Sequence, residues 1–238
     1  MTVDILAIAA HRDDIELTCG GTLLKAAALG RATAICDLTQ GETGTRGSAE
    51  LRAAEASRAA DVLGVSARVN LSLPDAGIEN TPETRRQLAV VIRRFAPRVV
   101  IAPALGGRHP DHRVSAQLVR DACFVAGLAK IEPAVPRHRP HKIVHATAYR
   151  EDAGKPTFVV DITEEFERKM EAIRCYASQF DGVTQAGEVY PNGEPLYDIV
   201  RHQAAHYGSL IRTRYGEPFY TVETIRMDDV TMLEGSSF

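Results

Sequence analysis

The stretch VDILAIAAHRDDIELTCGGTLLK, residues 3–25, decides the fold. Residues 3–10 form a short, nearly continuous apolar run, the pattern of a strand buried on both faces. Residues 16–29 read as a helix, with Leu23, Leu24, Ala27 and Ala28 as its apolar stripe and Gly30 as its stop. Between them, His11-Arg12-Asp13-Asp14 places an imidazole and two carboxylates on the turn from strand to helix.

The same rhythm continues outward. Residues 32–38 read as a strand, 48–63 as a helix closed by Gly64, and 69–73 as a strand leading into the turn Pro74-Asp75-Ala76-Gly77. Residues 81–95 read as a helix, 99–102 as a strand and 110–126 as a helix. The last third is less regular. Strands are expected over 142–149, 157–162 and 219–225, and helices over 164–178, with Thr163 as N-cap, and 196–212. Residues 182–195 are rich in turn formers and read as a mobile loop. This βαβ alternation predicts an α/β fold: a Rossmann-like three-layer sandwich with a mostly parallel sheet. All 238 residues are expected to form one domain.

Bulk properties narrow the function classes. A net charge of −3 argues against nucleic acid as a partner. The apolar run at the N-terminus is too short to span a bilayer and lacks a basic leader, so a soluble cytoplasmic protein is expected. Cys19, Cys36, Cys123 and Cys175 are far apart and read as reduced thiols.

In a parallel sheet, ligands bind at the carboxyl ends of the strands. Four loops should therefore converge: 11–16, 39–47, 73–77 and 104–112. Two of them carry clustered chemistry, His11-Arg12-Asp13-Asp14 and His109-Pro110-Asp111-His112. Catalytic zinc takes three protein ligands and keeps a fourth position for water. His11, Asp14 and His112 make such a set. Asp13 is then free to act as general base on the attacking water. His109 is placed to polarise the carbonyl or protonate the leaving amine, and Asp111 to fix an imidazole tautomer. A metal outweighs carboxylates alone. It moves the pKa of water from ~15.7 to ~7, about 12 kcal/mol toward hydroxide, against roughly 3–5 kcal/mol for a side-chain base. The competing reading has Asp13 or Asp14 capping a helix and the histidines solvated. His138, His141, His145, His202 and His206 lie outside the four loops.

These clusters and their context resemble the LmbE/PIG-L family of zinc N-acetylglucosaminyl deacetylases. The resemblance rests on AAHRDDIELTCGGTLLK (9–25), DLTQGETGTRGSAELRAAEA (37–56), NLSLPDAG (70–77) and GGRHPDHRVSAQLV (106–119), and covers most of the chain. The later MEAIRCYASQF stretch (170–180) is similar to the branch of the family that acts in bacillithiol biosynthesis. The resemblance implies His11, Asp14 and His112 as ligands of Zn2+, with Fe2+ or Co2+ tolerated. It implies Asp13 as base and His109 as the histidine that stabilises the oxyanion or acts as acid, with Asp111 as its carboxylate partner. Arg52 and Asp75 match sugar-contacting positions, and Tyr197 a mobile-loop tyrosine that reaches the oxyanion. Arg52 can equally be a helix charge paired with Glu55 or Glu50, and Asp75 a turn residue. Glu16 can orient a ligand or simply favour the helix start.

The implied substrate is a small amino-sugar conjugate, N-acetylglucosaminyl malate, whose malate could meet Arg46, Arg108 or Arg113. A homo-oligomer is also implied. One departure stands out. The family motif is H-P-D-D-x-E-x-x-x-G-G, and Arg12 replaces its proline. That removes one restraint on His11 and is expected to set a cation beside Asp13. The rival readings are a sister amidase acting on another N-acetyl sugar or thiol conjugate, a non-catalytic Rossmann-type module, and an inactive homologue that binds sugar without hydrolysis. The Rossmann-type module calls for G-x-G-x-x-G after the first strand, where HRDDIE stands instead.

Overall fold

A computed structural model of the chain describes residues 1–132, 134–147, 154–181 and 196–234. The first two-thirds follows the expected alternation: β1 (Ile5–Ala9), α1 (Asp14–Ala28), β2 (Thr33–Thr39), α2 (Ala49–Leu63), β3 (Ala67–Leu73), α3 (Pro82–Phe95), β4 (Val99–Pro103) and α4 (Pro110–Ala126). Then come β5 (Lys142–Ala146), β6 (Phe158–Asp161), α5 (Phe166–Arg174), α6 (Ala177–Phe180), α7 (Leu196–Leu210) and β7 (Gly216–Tyr220). The sheet order is β3-β2-β1-β4-β5-β7-β6. The β3-β2-β1-β4-β5 pairings are parallel, and β7 runs antiparallel to both β5 and β6.

The alternation of β1 explains the layers. Leu6 and Ile8 pack with Leu88, Ile92 and Phe95 of α3 and Leu118 of α4. Ala7 and Ala9 face the other way, onto Ile15 and Leu23 of α1, Leu63 of α2 and Ala172 of α5. The strand order reverses between β1 and β4, so the loops leaving those two strands open the crevice where ligands bind in such sheets. That topology sets the His11 turn against the His109 turn.

Three expectations for the last third need correction. The helix expected over 164–178 is two pieces, and Thr163 does not cap it. Its hydroxyl donates to Asp161 Oδ1 (2.7 Å), and the chain breaks at Cys175 and Tyr176. The terminal strand runs over Gly216–Tyr220 rather than 219–225, starting earlier where the buried Glu217 enters the core and ending before residue 221. β5 ends at Ala146, and positions 148 and 149 of the strand expected there lie outside the described residues. The loop expected at 182–195 lies outside the described residues. All four cysteines are free thiols.

α1 is not one straight helix. At Cys19 the backbone leaves helical geometry (φ −143°, ψ 18°). The groups freed there are met by a buried ion pair. Glu217 accepts from Gly21 N (2.9 Å) and Thr22 N (2.7 Å), while Lys169 Nζ donates to Leu17 O (2.9 Å) and to Glu217 Oε1 (2.6 Å). A side chain at Gly21 would meet Ile162 at 2.8 Å, so the close approach requires glycine. Lys169 and Glu217 are each 2% exposed. Lys169→Met strands the Glu217 charge and is expected to lower the unfolding free energy in urea by roughly 3–5 kcal/mol. A loss below about 1 kcal/mol, the level of an exposed pair, would show that the splice carries no load.

Candidate active site

The site is built on the turn after β1. The chain leaves Ala9 and doubles back so that Asp14, the first residue of α1, accepts the His11 N–H at 2.9 Å. His11 Nδ1 stands 3.4 Å from Asp14 Oδ2, and His112 Nε2 stands 3.2 Å from Asp14 Oδ1. His109 completes a triangle of imidazoles, with ring centroids 4.8 Å from His11 and 5.1 Å from His112. Ligand atoms of His11, Asp14 and His112 all lie within 4.8 Å of one another. Neighbouring ligands on a tetrahedral ion with bonds of about 2.0–2.2 Å stand roughly 3.3–3.6 Å apart, close to the separations seen here. Two imidazoles and one carboxylate therefore fit a divalent cation both by spacing and by donor chemistry.

The electrostatics also favour a cation. Burial opposes charge on His11, but the Asp111, Asp14 and Asp75 carboxylates outweigh it and lift the imidazole pKa well above its usual range. Burial likewise opposes charge on Asp14, yet the His112 and His11 rings hold it well below the carboxylate range. His109 is pushed down, first by burial and then by the neighbouring rings, so it stays neutral. A pH dependence follows for metal-free protein. The raised His11 contributes stability that is fully present below about pH 6.5 and is lost as pH rises through its folded pKa. The thermal midpoint of metal-free protein should fall across that range. Saturating zinc, which replaces the proton as the positive charge, should flatten the fall. Parallel slopes with and without zinc would contradict this.

Asp13 lies beside the triad. Its Oδ2 accepts from Arg52 Nη2 at 3.2 Å. Arg52 is buried and also donates to Gly41 O at 3.0 Å. Gly41 is in the left-handed region (φ 71°), and a Cβ there would collide with the guanidinium at 2.0 Å, so the buried arginine demands that glycine. Arg52 thus pairs with Asp13 rather than with Glu50 or Glu55.

Arg12 does not lie against Asp13 as expected. Its guanidinium turns toward α2 and donates to Ala49 O (2.6 Å) and Gln40 O (3.3 Å). Its own carbonyl accepts from both Arg68 Nη2 and the Tyr176 hydroxyl. Arg68 in turn is clamped by Asp37 (2.8 Å to each oxygen) and Glu16 (2.6 Å). Glu16, fully buried, accepts from Arg68 and from the Tyr176 hydroxyl and is pushed up to about 7 by burial, against the pull of Arg68. This network beneath the turn escaped the sequence reading. Part of its signal was present: Asp37 is a charge inside an expected strand that is otherwise largely apolar, whereas Arg68 precedes the strand expected over 69–73 and enters it only in the folded chain. Arg12→Ala removes two charge-assisted bonds and is expected to cost roughly 1–3 kcal/mol of stability. The pH–rate profiles of Arg12→Ala and the parent should superimpose, because the guanidinium faces away from Asp13. A displaced profile would restore the original expectation.

Asp111 is not the partner of the His109 ring. Its Oδ2 accepts from Ala76 N (2.8 Å) and lies 3.5 Å from His11 Nε2. His109 Nδ1 instead accepts from the backbone N–H of Asp111 (3.2 Å) and caps α4, which leaves the hydrogen of the neutral ring on Nε2. Asp75 stands 3.1 Å from His11 Nε2 and accepts from Thr43 N and Oγ1 (2.9 and 2.7 Å). The Tyr197 hydroxyl donates to Asp181 Oδ1 (2.8 Å) rather than toward the imidazoles. Arg46 and Arg113 are bound to backbone carbonyls, of Asp181 and of Gly107 and Arg108. His145 bonds through Nδ1 to Pro103 O (2.6 Å).

Residues 6–123 match the family model described as PIG-L, GlcNAc-PI de-N-acetylase. The chain is 31% identical to the diacetylchitobiose deacetylase of Thermococcus kodakarensis, over 90% of this chain and 80% of that protein. It belongs to the PIG-L family of deacetylases. It is also 29% identical to a probable N-acetyl-alpha-D-glucosaminyl L-malate deacetylase 2 of Bacillus anthracis, over 79% of this chain and 87% of that one. Among solved structures, the conserved protein TT1542 from Thermus thermophilus superposes with a TM-score of 0.85 at 35% identity, over 95% of this chain and 97% of the other.

Proposed function

We propose that this chain is a zinc-dependent hydrolase that removes the acetyl group from an N-acetylglucosaminyl conjugate, with N-acetylglucosaminyl malate as substrate. One observation carries the reading: His11, Asp14 and His112 face one another while Asp13, a fourth polar group at the same corner, stays outside that set and is held by Arg52. In this reading His11, Asp14 and His112 hold the ion. When bound, it polarises the acetamide carbonyl and lowers the pKa of water to ~7.

The side chains supply the rest. Asp13 takes a proton from the attacking water, and Arg52 keeps its carboxylate oriented. His109 presents Nε2–H to the oxygen on which negative charge grows, and the proton that Asp13 takes from water passes to the departing amine. Asp75 and Asp111 accept from His11 Nε2–H and hold Nδ1 free as the ligand atom. Thus Asp111 serves His11 rather than His109, and Asp75 and Arg52 reach the sugar only with atoms not already engaged. Tyr197 would join the oxyanion by leaving Asp181. The ligand set also accepts iron(II) or cobalt. The family resemblance supports a homo-oligomer.

The similarity to a diacetylchitobiose deacetylase favours a second reading, hydrolysis of an N-acetyl chito-oligosaccharide. Amine release is measured from N-acetylglucosaminyl malate and from diacetylchitobiose with protein carrying one equivalent of zinc. A higher kcat/KM on the malate conjugate supports the first reading. The reverse order moves the chain to the second, and no release from either removes the proposal.

A further inference from the structure

His11, Arg12, Asp13 and Asp14 form a tight turn, closed by the Asp14 N–H on the His11 carbonyl (3.4 Å). Asp13, at its third position, has φ −105° and ψ −13°, near the values of a type I turn. Arg12 holds the second position, where proline is favoured because its ring presets φ. Arginine supplies no such restraint, and what holds residue 12 comes from distant parts of the chain. Its carbonyl accepts from Arg68 Nη2, 56 positions away, and from the Tyr176 hydroxyl, 164 positions away. Tyr176 is fully buried, packs with Ala56 and Ala59 of α2, and stands at the break between α5 and α6 with non-helical backbone (φ −90°, ψ 50°). Arg68 is itself fixed by both oxygens of Asp37 (2.8 Å each) and by Glu16 (2.6 Å). The Arg12 guanidinium, on the Ala49 and Gln40 carbonyls, holds the other end of the residue.

We infer that Tyr176, together with Arg68, is a positioning residue: the two donors fix the Arg12–Asp13 peptide and so supply from tertiary structure the restraint that a proline would give the turn. The inference rests on the roles proposed for His11 and Asp14 as ligands and Asp13 as base. A carbonyl oxygen has two lone pairs, and here both are taken by buried donors from two different elements. That leaves the peptide plane one orientation with its acceptor satisfied. Rotating the plane would swing Asp13 and Asp14 against His11, and a misplacement of about 1 Å at such a site can cost roughly 10²-fold in rate. Among the described residues, Tyr176 bonds to neither the imidazoles nor Asp13, so it acts through the backbone.

Tyr176→Phe tests this, because it keeps the buried ring and removes the hydroxyl while Glu16 keeps its bond from Arg68. Zinc affinity, measured by competition with a chelator, is expected to weaken roughly tenfold, and kcat to fall by a similar factor with KM little changed. Val125→Ala, which trims a partly buried side chain at the far end of α4, should lower the thermal midpoint yet leave zinc affinity and kcat as in the parent. In the Arg12→Pro background the ring supplies the restraint, so the Tyr176→Phe loss should shrink to about threefold or less. Hydrogen exchange of the backbone amides over residues 11–14 in metal-free protein reads the turn without zinc or turnover. It should quicken about five- to tenfold in Tyr176→Phe and return toward the parent rate in the double variant. Unchanged exchange in Tyr176→Phe, a loss of affinity that Val125→Ala shares, or an undiminished loss in the Arg12→Pro background overturns the inference and leaves the deacetylase reading standing. If the parent binds no zinc or releases no amine from any N-acetyl sugar, the deacetylase reading fails, and the exchange rates still decide whether Tyr176 holds the turn.

Discussion

Asp14→Asn is expected to lose zinc and, with it, more than about 10⁴-fold in kcat/KM on any N-acetyl sugar that the parent hydrolyses. Asp14 is the middle of the proposed ligand set: one oxygen faces His11 Nδ1 and the other His112 Nε2. Removing its charge takes away the only carboxylate of the triad and leaves two imidazoles, too few to hold the ion at ordinary concentrations. The magnitude follows from water, whose pKa returns from ~7 toward ~15.7 once the ion is gone. Chelation of the parent should reproduce the loss, and added zinc should reverse it in the parent but not in Asp14→Asn. The fold should survive, because asparagine Oδ1 can still accept the His11 N–H that Asp14 accepts now. A variant that keeps a full equivalent of zinc and full activity would place the ion elsewhere.

Asp13→Asn should separate catalysis from metal binding. Asp13 faces Arg52 and stands outside the ligand set, so the variant is expected to keep its zinc. An amide cannot take a proton from water, so kcat should fall roughly 10²–10⁴-fold while KM changes little. The asparagine oxygen can still accept from Arg52, which limits the structural disturbance. If Asp13→Asn loses zinc together with activity, Asp13 is a ligand and the base must be sought elsewhere. The two variants thus predict opposite metal contents for neighbouring aspartates.

Much of this site was legible in residue order. His11 and Asp14 follow an apolar run that could only be a buried strand, and His109 and His112 open a helix after another such run. Strand-end chemistry in a parallel sheet converges, so the meeting of the two clusters could be inferred before the fold was seen. Partners were harder to read. Asp111 was expected beside His109, its near neighbour, and its carboxylate lies 3.5 Å from His11 Nε2 instead. Arg12 was expected to act on the adjacent Asp13 and reaches Gln40 and Ala49 instead. Adjacent side chains on a turn point in different directions, and their hydrogen bonds go to whatever the folded chain brings near.

By itself the sequence determined the strand-helix alternation through β1–α4, which side chains are the candidates for ligating and acid–base roles, and the left-handed stop at Gly64. These depend on local rules: apolar periodicity, backbone sterics and donor chemistry. Tertiary structure alone decided the break in α1, the Lys169–Glu217 splice, and the network that holds the Arg12 carbonyl through Arg68 and Tyr176. Those contacts join residues as far apart as 196 positions. They exist because buried charges and freed backbone groups must find partners in space, and nothing in chain order says which partner will be closest.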